Sequence, residues 1–277
     1  MSSPGEFHTD TALMPVGDGR FTATISDRWS VGPGANGGYV SAMLAQAAIA
    51  AERATHDDAR HLRSLTVHLL RPALPGPATL TTAVRRDGRS ATVVDAELAA
   101  EDRLVAIARG VVAADREAGP DHIDHPAPDF PPPEALGSEA WPDPLMIRSR
   151  YDTRYTVGGF PPQDLDRAEV SGWIRPADHT PVDLPLLVAL LDAWPPPVMM
   201  LPGPLMMAST IDITYHLFAT LDDPLDDFVA MTNTSKINAG GYVDTETEAW
   251  TRDGRLLGQA RQLSALMPGE PLPSPEG

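Results

Sequence analysis

The sequence predicts an α+β protein in which one arrangement of helix and strands occurs twice. In each half, a segment of helix-forming residues is followed by strand-like runs that turn residues separate, the order expected for antiparallel strands beside one helix. Two short segments also recur at nearly equal offsets: residues 66–70 resemble residues 214–218, and residues 102–109 resemble residues 254–261. We therefore interpret the chain as a duplication whose two copies have diverged.

The first copy begins with a strand over residues 20–25, where apolar and polar residues alternate. A glycine-rich loop at residues 32–38 leads into a helix over residues 39–52, which is rich in Ala, Leu and Met and lacks Pro and Gly. Turn residues then separate four further runs, so strands are expected at residues 65–70, 79–85, 92–98 and 104–112.

The second copy repeats this order after a proline-rich segment at residues 114–143, which we interpret as a linker because its prolines oppose regular structure. A helix is expected at residues 184–194, with Asp183 as its N-cap and Pro195 as its stop. Strands are expected before and after this helix, at residues 147–156, 169–174, 209–218, 228–234, 241–251 and 256–266. Residues 269–277 are expected to be a disordered tail.

Composition excludes several classes of function. The chain has no cysteine, which removes disulfides, thiolate nucleophiles and cysteine zinc sites. The formal net charge of −17 argues against a nucleic-acid partner, which requires a cationic surface. Neither a signal peptide nor an apolar run of membrane-spanning length is visible, so we expect a cytoplasmic protein without a membrane partner.

Cofactor and metal motifs are also missing. No phosphate-binding loop, dinucleotide fingerprint or Gly-x-Ser-x-Gly elbow occurs, so we expect neither a cofactor nor a serine nucleophile. His122 and His125 have a spacing that a metal could use, but they lie in the proline-rich segment without further ligands. We therefore expect no metal site.

Two segments of the first copy resemble a known family. One is the run from Trp29 to Gly34 with Asn36-Gly37-Gly38-Tyr39 opening an alanine-rich helix, and the other is the strand from Ser64 to His68 followed by Arg71-Pro72. They are similar to the thioesterase-like superfamily, and the whole chain resembles a double-hotdog acyl-CoA thioesterase of the bacterial acyl-CoA thioesterase II type.

The resemblance implies an α+β double hotdog, in which two antiparallel sheets each wrap around a central helix within one chain. It would consist of an N-terminal hotdog at residues 1–113, the linker, and a C-terminal hotdog at residues 144–268. It implies an acyl-CoA substrate and a homo-oligomer. It also implies three catalytic residues of the second copy that hold and activate a water molecule: Asp192, Thr210 and Gln262.

These residue types suit thioester hydrolysis. Asp192 can accept a proton from water as a general base, while a threonine hydroxyl and a glutamine amide can fix that water in place. Gln259 and Thr214 are alternatives for the glutamine and threonine roles. Matching the two copies puts the candidate triplet opposite Gln46, Leu62 and Gly110, so the polar set belongs to the second copy only.

Substrate contacts are expected at the start of the first helix and on a strand of the first copy. Backbone N–H groups at the helix start can donate to a developing oxyanion, and glycine allows the thioester to approach closely. Arginines could meet the CoA phosphates at one sheet edge, where Arg71 and Arg89 are further candidates. The expected substrate-binding residues are Asn36, Gly37, Gly38, Tyr39, Arg85 and Arg86.

Two other functions stay open at this point. One is a hotdog enoyl-CoA hydratase or dehydratase, which would use a histidine such as His68 or His216 with a carboxylate. The other is a non-catalytic acyl-binding protein. The acyl group also stays open, because the methionines that flank the expected site suit irregular apolar ligands but equally suit a core: Met199, Met200, Met206 and Met207.

Overall fold

A computed structural model describes residues 5–56, 59–116, 122–138 and 146–269. Within them, three α-helices are formed: α1 at Glu6–Asp10, α2 at Gly37–Arg53 and α3 at Leu184–Leu190. The strands of the first half are β1 Met14–Gly17, β2 Arg20–Ile25, β3 Ser30–Val31, β4 Gly34–Ala35, β5 Arg60–Leu69, β6 Gly76–Asp87, β7 Ala91–Ala100 and β8 Arg103–Ala114. Those of the second half are β9 Tyr151–Val157, β10 Glu169–Pro176, β11 Met206–Leu217, β12 Val229–Thr234, β13 Asn238–Ala239, β14 Tyr242–Trp250 and β15 Leu256–Pro268.

All but two of these strands form one antiparallel sheet. Its order is β1-β2-β6-β7-β8-β5-β11-β15-β14-β12-β10-β9, with β13 paired to β14, while β3 and β4 form a separate ribbon. The two halves join where β5 pairs with β11, and Thr66 lies directly opposite Thr214 there. These two threonines are equivalent in the sequence repeat. The halves are therefore related by an approximate two-fold axis through this pair.

The register of the strands agrees with the way the strands of the two copies were matched. Thr66 pairs with Arg109 on its other side, and Thr214 pairs with Arg261. Both β5 and β11 also carry an irregularity at the same distance before this threonine. Counting from these pairs puts Thr210 opposite Leu62 and Gln262 opposite Gly110.

Helix α2 is the long helix of the first half, and it slightly exceeds the predicted range. It begins after Asn36, whose side chain accepts a hydrogen bond from the Tyr39 N–H and so caps the first turn. Its alanine-rich body is buried against β5 to β8 on one side and against α3 on another. The close contact between the two helices brings the start of α2 to the end of α3.

Helix α3 is shorter than the sequence predicts. Asp183 is its N-cap as expected and accepts from the Leu186 N–H at 3.0 Å, but the helix ends at Leu190, not at residue 194. The physical reason is the run of three prolines from Pro195, which cannot continue a helix and restrict the residues before them. Asp192 therefore lies in the turn after the helix.

Other boundaries differ as well. The strand expected at residues 147–156 begins only at Tyr151, because residues Met146–Arg150 form a 3₁₀ turn. Helix α1 and strand β1 have five and four residues, too few for a periodic signal, so the sequence does not predict them.

The described part of the proline-rich segment packs on the second half of the sheet. Trp173 donates its indole N–H to the Pro131 carbonyl at 2.8 Å, and Phe130 contacts the same ring edge-on. The expected tail lies outside the described residues apart from Gly269. In the described parts of the chain, no helix is long and apolar enough to cross a membrane.

Candidate active site

Asp192 lies where the turn after α3 meets the start of α2, and its carboxylate is surrounded by hydrogen-bond donors. It accepts from Gln262 Nε2 at 3.1 Å, from the Gly38 N–H, and from Asn36 Nδ2 at 3.4 Å. Burial raises the pKa of this carboxyl to about 6, although these bonds and the nearby Arg148 charge act in the opposite direction. A carboxyl group with this pKa can exchange a proton close to neutral pH.

Gln262 connects Asp192 to Thr210. The Thr210 hydroxyl donates to Gln262 Oε1 at 2.8 Å, while the amide nitrogen of the same side chain faces Asp192. Since an ionised carboxylate can only accept, Gln262 must present its NH₂ group to Asp192 and its oxygen to Thr210. The structure thus brings all three predicted catalytic side chains together, from the turn after α3, from β11 and from β15, in one hydrogen-bonded chain.

Asn36, the N-cap of α2, holds the two halves together at this point. Its amide nitrogen donates to the backbone carbonyl of Asp192 at 3.1 Å as well as to the carboxylate, while its oxygen caps Tyr39. The side chain therefore orients Asp192 in addition to its capping role.

Gly37 and Gly38 lie against Asp192 so closely that a side chain would not fit. A Cβ at Gly37 would lie 2.9 Å from Asp192 Oδ2, and one at Gly38 would lie 2.7 Å from the Ala189 carbonyl oxygen. Gly38 needs to be glycine because its backbone and that of Ala189 approach each other directly. At Gly37, the atoms that a Cβ would meet belong to the side chains of Leu69 and Asp192.

From the sequence, we expect the N–H groups at the start of α2 to be available to a substrate. In the structure, two of them already donate to protein groups. The Gly38 N–H donates to Asp192, and the Tyr39 N–H donates to Asn36. Among the described residues, no protein acceptor binds the Gly37 N–H. In the first turn of α2, the Gly37 N–H is accordingly the donor that the described protein groups leave unoccupied.

Tyr39 does not belong to a substrate surface. Its side chain is fully buried, stacks on Trp29, and donates its hydroxyl to the Asp10 carbonyl at 2.6 Å. Burial raises the pKa of this phenol to about 12. The expectation that Tyr39 contacts substrate is wrong for its side chain, which is part of the core.

Arg85 and Arg86 lie on β6, three strands away from β5 in the sheet order. Arg85 binds Asp95 at 2.7 Å, and Asp95 also binds Arg109 at 2.6 Å. The structure therefore places Arg85 in an exposed ion-pair group and shows no contact between either arginine and the Asp192 cluster.

Arg148 is a residue of this region that sequence reasoning missed. It follows the proline-rich segment, and its guanidinium donates to the Ala193 carbonyl at 2.9 Å, one residue beyond Asp192. Burial lowers the pKa of Arg148, and its charge lowers that of Asp192. Nothing in the spacing of residues 146–150 indicates this contact, which depends on how the chain brings Arg148 against the turn after α3.

The position equivalent to Asp192 in the first copy carries no such cluster. Matching the two N-caps, Asn36 and Asp183, puts Asp192 opposite Ala45, one residue before Gln46. Helix α1 covers this region: Thr11 accepts from Gln46 at 2.9 Å, and His8 pairs with Asp183 at 2.9 Å.

The histidines of the alternative enzyme class lie on the other face of the sheet. His68 and His216 are exposed, whereas their strand neighbours Val67 and Tyr215 are buried, so the alternation directs the histidines outward. Gln262 pairs directly with buried Ile213 and shares the inner face. His125, a candidate metal ligand from its sequence spacing, forms a hydrogen bond with Glu248 at 3.2 Å.

Comparison with known proteins identifies the family. A model described as the acyl-CoA thioesterase N-terminal domain matches residues 25–113, and one described as the acyl-CoA thioesterase C-terminal domain matches residues 123–266. Together they span most of the chain, which therefore belongs to this acyl-CoA thioesterase family. No protein with a curated function matches the chain by sequence.

Solved structures agree in fold. A protein of unknown function with hot dog fold from Alicyclobacillus acidocaldarius is 24% identical, with a TM-score of 0.85 over 98% of this chain and 100% of that one. A candidate thioesterase II from Thermobifida fusca is 26% identical, with a TM-score of 0.83 over 96% and 99%. An acyl-CoA thioesterase II, TesB2, from Mycobacterium marinum is 16% identical, with a TM-score of 0.69 over 95% and 99%.

Proposed function

We propose that the protein hydrolyses acyl-CoA thioesters to the free acid and CoA by direct attack of water. The observation that supports this most strongly is the hydrogen-bonded chain from Thr210 through Gln262 to Asp192, at the start of α2. It joins a base with a raised pKa to a helix N-terminus, which favours negative charge. Family membership supports the same reaction class.

In the proposed reaction, water bound beside Asp192 attacks the thioester carbonyl carbon. Asp192 takes one proton from the water as the C–O bond forms, and the carbonyl oxygen becomes an oxyanion. The Gly37 N–H and the dipole of α2 stabilise that oxyanion. The C–S bond then breaks, and the proton held by Asp192 passes to the departing CoA thiolate, so that no covalent enzyme intermediate forms.

The hydrogen bonds within the cluster give its members different roles: Gln262 and Asn36 orient Asp192, and Asp192 acts as the base. Gln262 is fixed by Thr210 and can hold Asp192 in one orientation, while Asn36, at the start of α2, restrains the same carboxylate from the first half of the chain. A carboxyl with a pKa of about 6 is mostly ionised at pH 7, yet it is a stronger base than an ordinary aspartate. This combination suits a general base.

The proposed architecture is a double hotdog with α2 and α3 as its two central helices and residues 114–143 as the linker. Residues 1–113 and 144–268 would then be the two hotdogs. The homo-oligomeric state and the cytoplasmic location expected from the sequence stay predictions.

The proposal is tested by incubating the protein with a panel of acyl-CoA esters and following free thiol. Thiol release is expected, and Asp192→Asn should lower turnover about a hundred-fold or more because it removes the base. Absorbance of an enoyl-CoA is the parallel readout for a hydratase. A change there without thiol release would support the lyase, and binding without either would support the acyl-binding protein.

Two further variants serve as matched controls for Asp192→Asn. Thr210→Val and Gln262→Ala should each reduce turnover less, because these residues orient groups and do not take the proton. Neither should add its full effect to that of Asp192→Asn, since the three side chains act as one unit. If the losses of turnover in the double variants were fully additive, the three side chains would act independently, and the hydrogen-bonded chain would not be a functional unit.

A further inference from the structure

We propose that a small cavity containing Arg71 and Arg103 binds the phosphate groups of the CoA moiety. This cavity, called here the arginine pocket, has a volume of about 180 Å³. Its lining includes Pro33, Arg71, Leu74, Glu101, Arg103 and Val105. The inference rests on the proposed function and specifies where the charged half of that substrate is held.

The arginine pocket adjoins the candidate active site through two neighbouring segments. Leu69, at the end of β5, lies beside Gly37: a Cβ at Gly37 would be 2.8 Å from Leu69 Cδ1 and 2.9 Å from Asp192 Oδ2. Arg71 follows two residues later. On the other side, Gly34 lies against Pro72, and the loop that contains Pro33 leads directly into α2. An extended substrate arm can therefore run from the thioester position to the pocket.

The charges of the pocket are not used up by protein groups. Among the described residues, neither Arg71 nor Arg103 has a carboxylate within ion-pair distance, whereas Arg85 and Arg109 share Asp95. Arg71 donates to the Leu104 carbonyl at 2.6 Å, which fixes its guanidinium while leaving other N–H groups free for a phosphate. In a chain of net charge −17, local cationic contacts of this kind are required for an anionic ligand.

Glu101 also lines the pocket, and its carboxylate opposes an anion there. It lies in a turn with Asp102 in which both residues have positive φ, 51° and 56°. This residue makes the proposal more specific, because removing its charge should strengthen phosphate binding while removing the arginine charges should weaken it.

The duplication supports a role for Arg71 in particular. The N–H groups of Leu70 and Arg71 both donate to the Val105 carbonyl, and those of Phe218 and Ala219 both donate to the Leu257 carbonyl. Arg71 is thus equivalent to Ala219. The arginine is found in the copy whose helix begins beside Asp192, and the other copy has a buried alanine instead. Arg103 corresponds to Arg255, so it does not distinguish the copies.

The test compares two double variants on two substrates. Arg71→Gln with Arg103→Gln should raise KM for an acyl-CoA about ten-fold or more, with little change in kcat, since the phosphate contacts are the same in ground and transition states. The same variant should leave KM unchanged for the matching acyl-N-acetylcysteamine, which lacks phosphates. Glu101→Gln should lower KM for acyl-CoA only. Arg85→Gln with Arg86→Gln is the matched control and should change neither substrate.

A second measurement keeps the site testable without catalysis. Calorimetric titration of the whole protein with CoA at low salt should show binding that the Arg71→Gln, Arg103→Gln variant loses and that the Arg85→Gln, Arg86→Gln variant keeps. The reverse pattern, or an equal rise in KM for both substrates, would overturn the proposal. Absence of thiol release from every ester, with CoA binding retained by the wild type and lost by the first variant, would reject the proposed function and leave the pocket standing.

Discussion

At the scale of single residues, Asp192 shows how opposing influences produce a usable base. Burial disfavours the ionised form of the carboxyl and raises its pKa, whereas hydrogen bonds from Gln262, Gly38 and Asn36 favour the ionised form and lower the pKa. Arg148 adds a positive charge nearby and binds the adjacent carbonyl of Ala193. The resulting pKa of about 6 lies below the pH of most assays, so the carboxylate is ionised while it remains more basic than an exposed aspartate.

This pKa predicts the pH dependence of the reaction. Since only the ionised carboxylate accepts a proton, kcat/KM should rise as pH increases through about 6 and then level off. Arg148 favours the ionised form, so Arg148→Met should move this rise to higher pH, while Arg148→Lys should keep it close to the wild type. The measurement is a pH–rate profile of all three proteins. An identical profile for Arg148→Met would show that the arginine serves the structure alone.

The origin of the cluster explains which of its residues the sequence could predict. The resemblance to a family predicts Asp192, Thr210 and Gln262. The duplication adds that the equivalent positions of the first copy do not carry this set of polar side chains. Asn36 acts on Asp192 across the boundary between the copies, and Arg148 acts on it from a separate segment of the same copy, 44 residues earlier in the chain. No local pattern in either copy encodes such a contact, so the sequence placed Asn36 near the substrate and did not indicate Arg148.

At the scale of secondary-structure elements, the start of α2 and the end of α3 are fitted to each other. Gly38 accommodates the Ala189 carbonyl and the Cβ of Asp192, both of which belong to the neighbouring helix end. The same glycine directs its N–H at the Asp192 carboxylate. The close approach of two backbones is therefore what creates the base's environment.

We predict that Gly38→Ala is harmful although alanine ordinarily favours a helix. Its Cβ would lie 2.7 Å from a carbonyl oxygen, so the two helix ends must separate. We expect a loss of about 1–3 kcal/mol in the free energy of unfolding, measured by urea denaturation, together with reduced kcat. Gly137→Ala is the control, since its Cβ would meet nothing within 4 Å. Equal stability of the two variants would contradict the tight fit.

The elements themselves were predictable to different degrees for physical reasons. The strands of the sheet have a clear alternation, and α2 is long enough for its composition to identify it. Helix α3 ended early because a proline run affects residues before it as well as after it. Helix α1 has five residues, and its position depends on partners distant in sequence, such as Asp183 and Gln46. Such an element has no local signal.

At the scale of the whole molecule, the pseudo-two-fold axis at Thr66 and Thr214 relates two positions at which a helix start meets the other helix. The residues at these two positions differ. One combines the start of α2 with Asp192, Thr210 and Gln262. At the other, Leu62 and Gly110 replace the threonine and glutamine, and α1 lies across the equivalent helix ends. Phe7 of α1 is buried and packs edge-on against Trp29 at 5.2 Å between ring centroids. The second position is therefore filled by the protein itself.

This asymmetry predicts one substrate site per chain. Titration of Asp192→Asn with a non-hydrolysable acyl-CoA analogue should give a stoichiometry of one, because the second position offers no polar cluster and is covered by α1.

Phe7→Ala should loosen the cover that α1 forms and lower the free energy of unfolding by about 3–5 kcal/mol, the usual range for deleting a buried phenylalanine. Its kcat should change little, since Phe7 has no contact with the Asp192 cluster. The stoichiometry should stay at one in the Phe7→Ala, Asp192→Asn double variant as well, because Leu62 and Gly110 cannot hold a water molecule as Thr210 and Gln262 do. Two ligands bound per chain in either protein would show that both halves have kept a binding site and that divergence removed the chemistry alone.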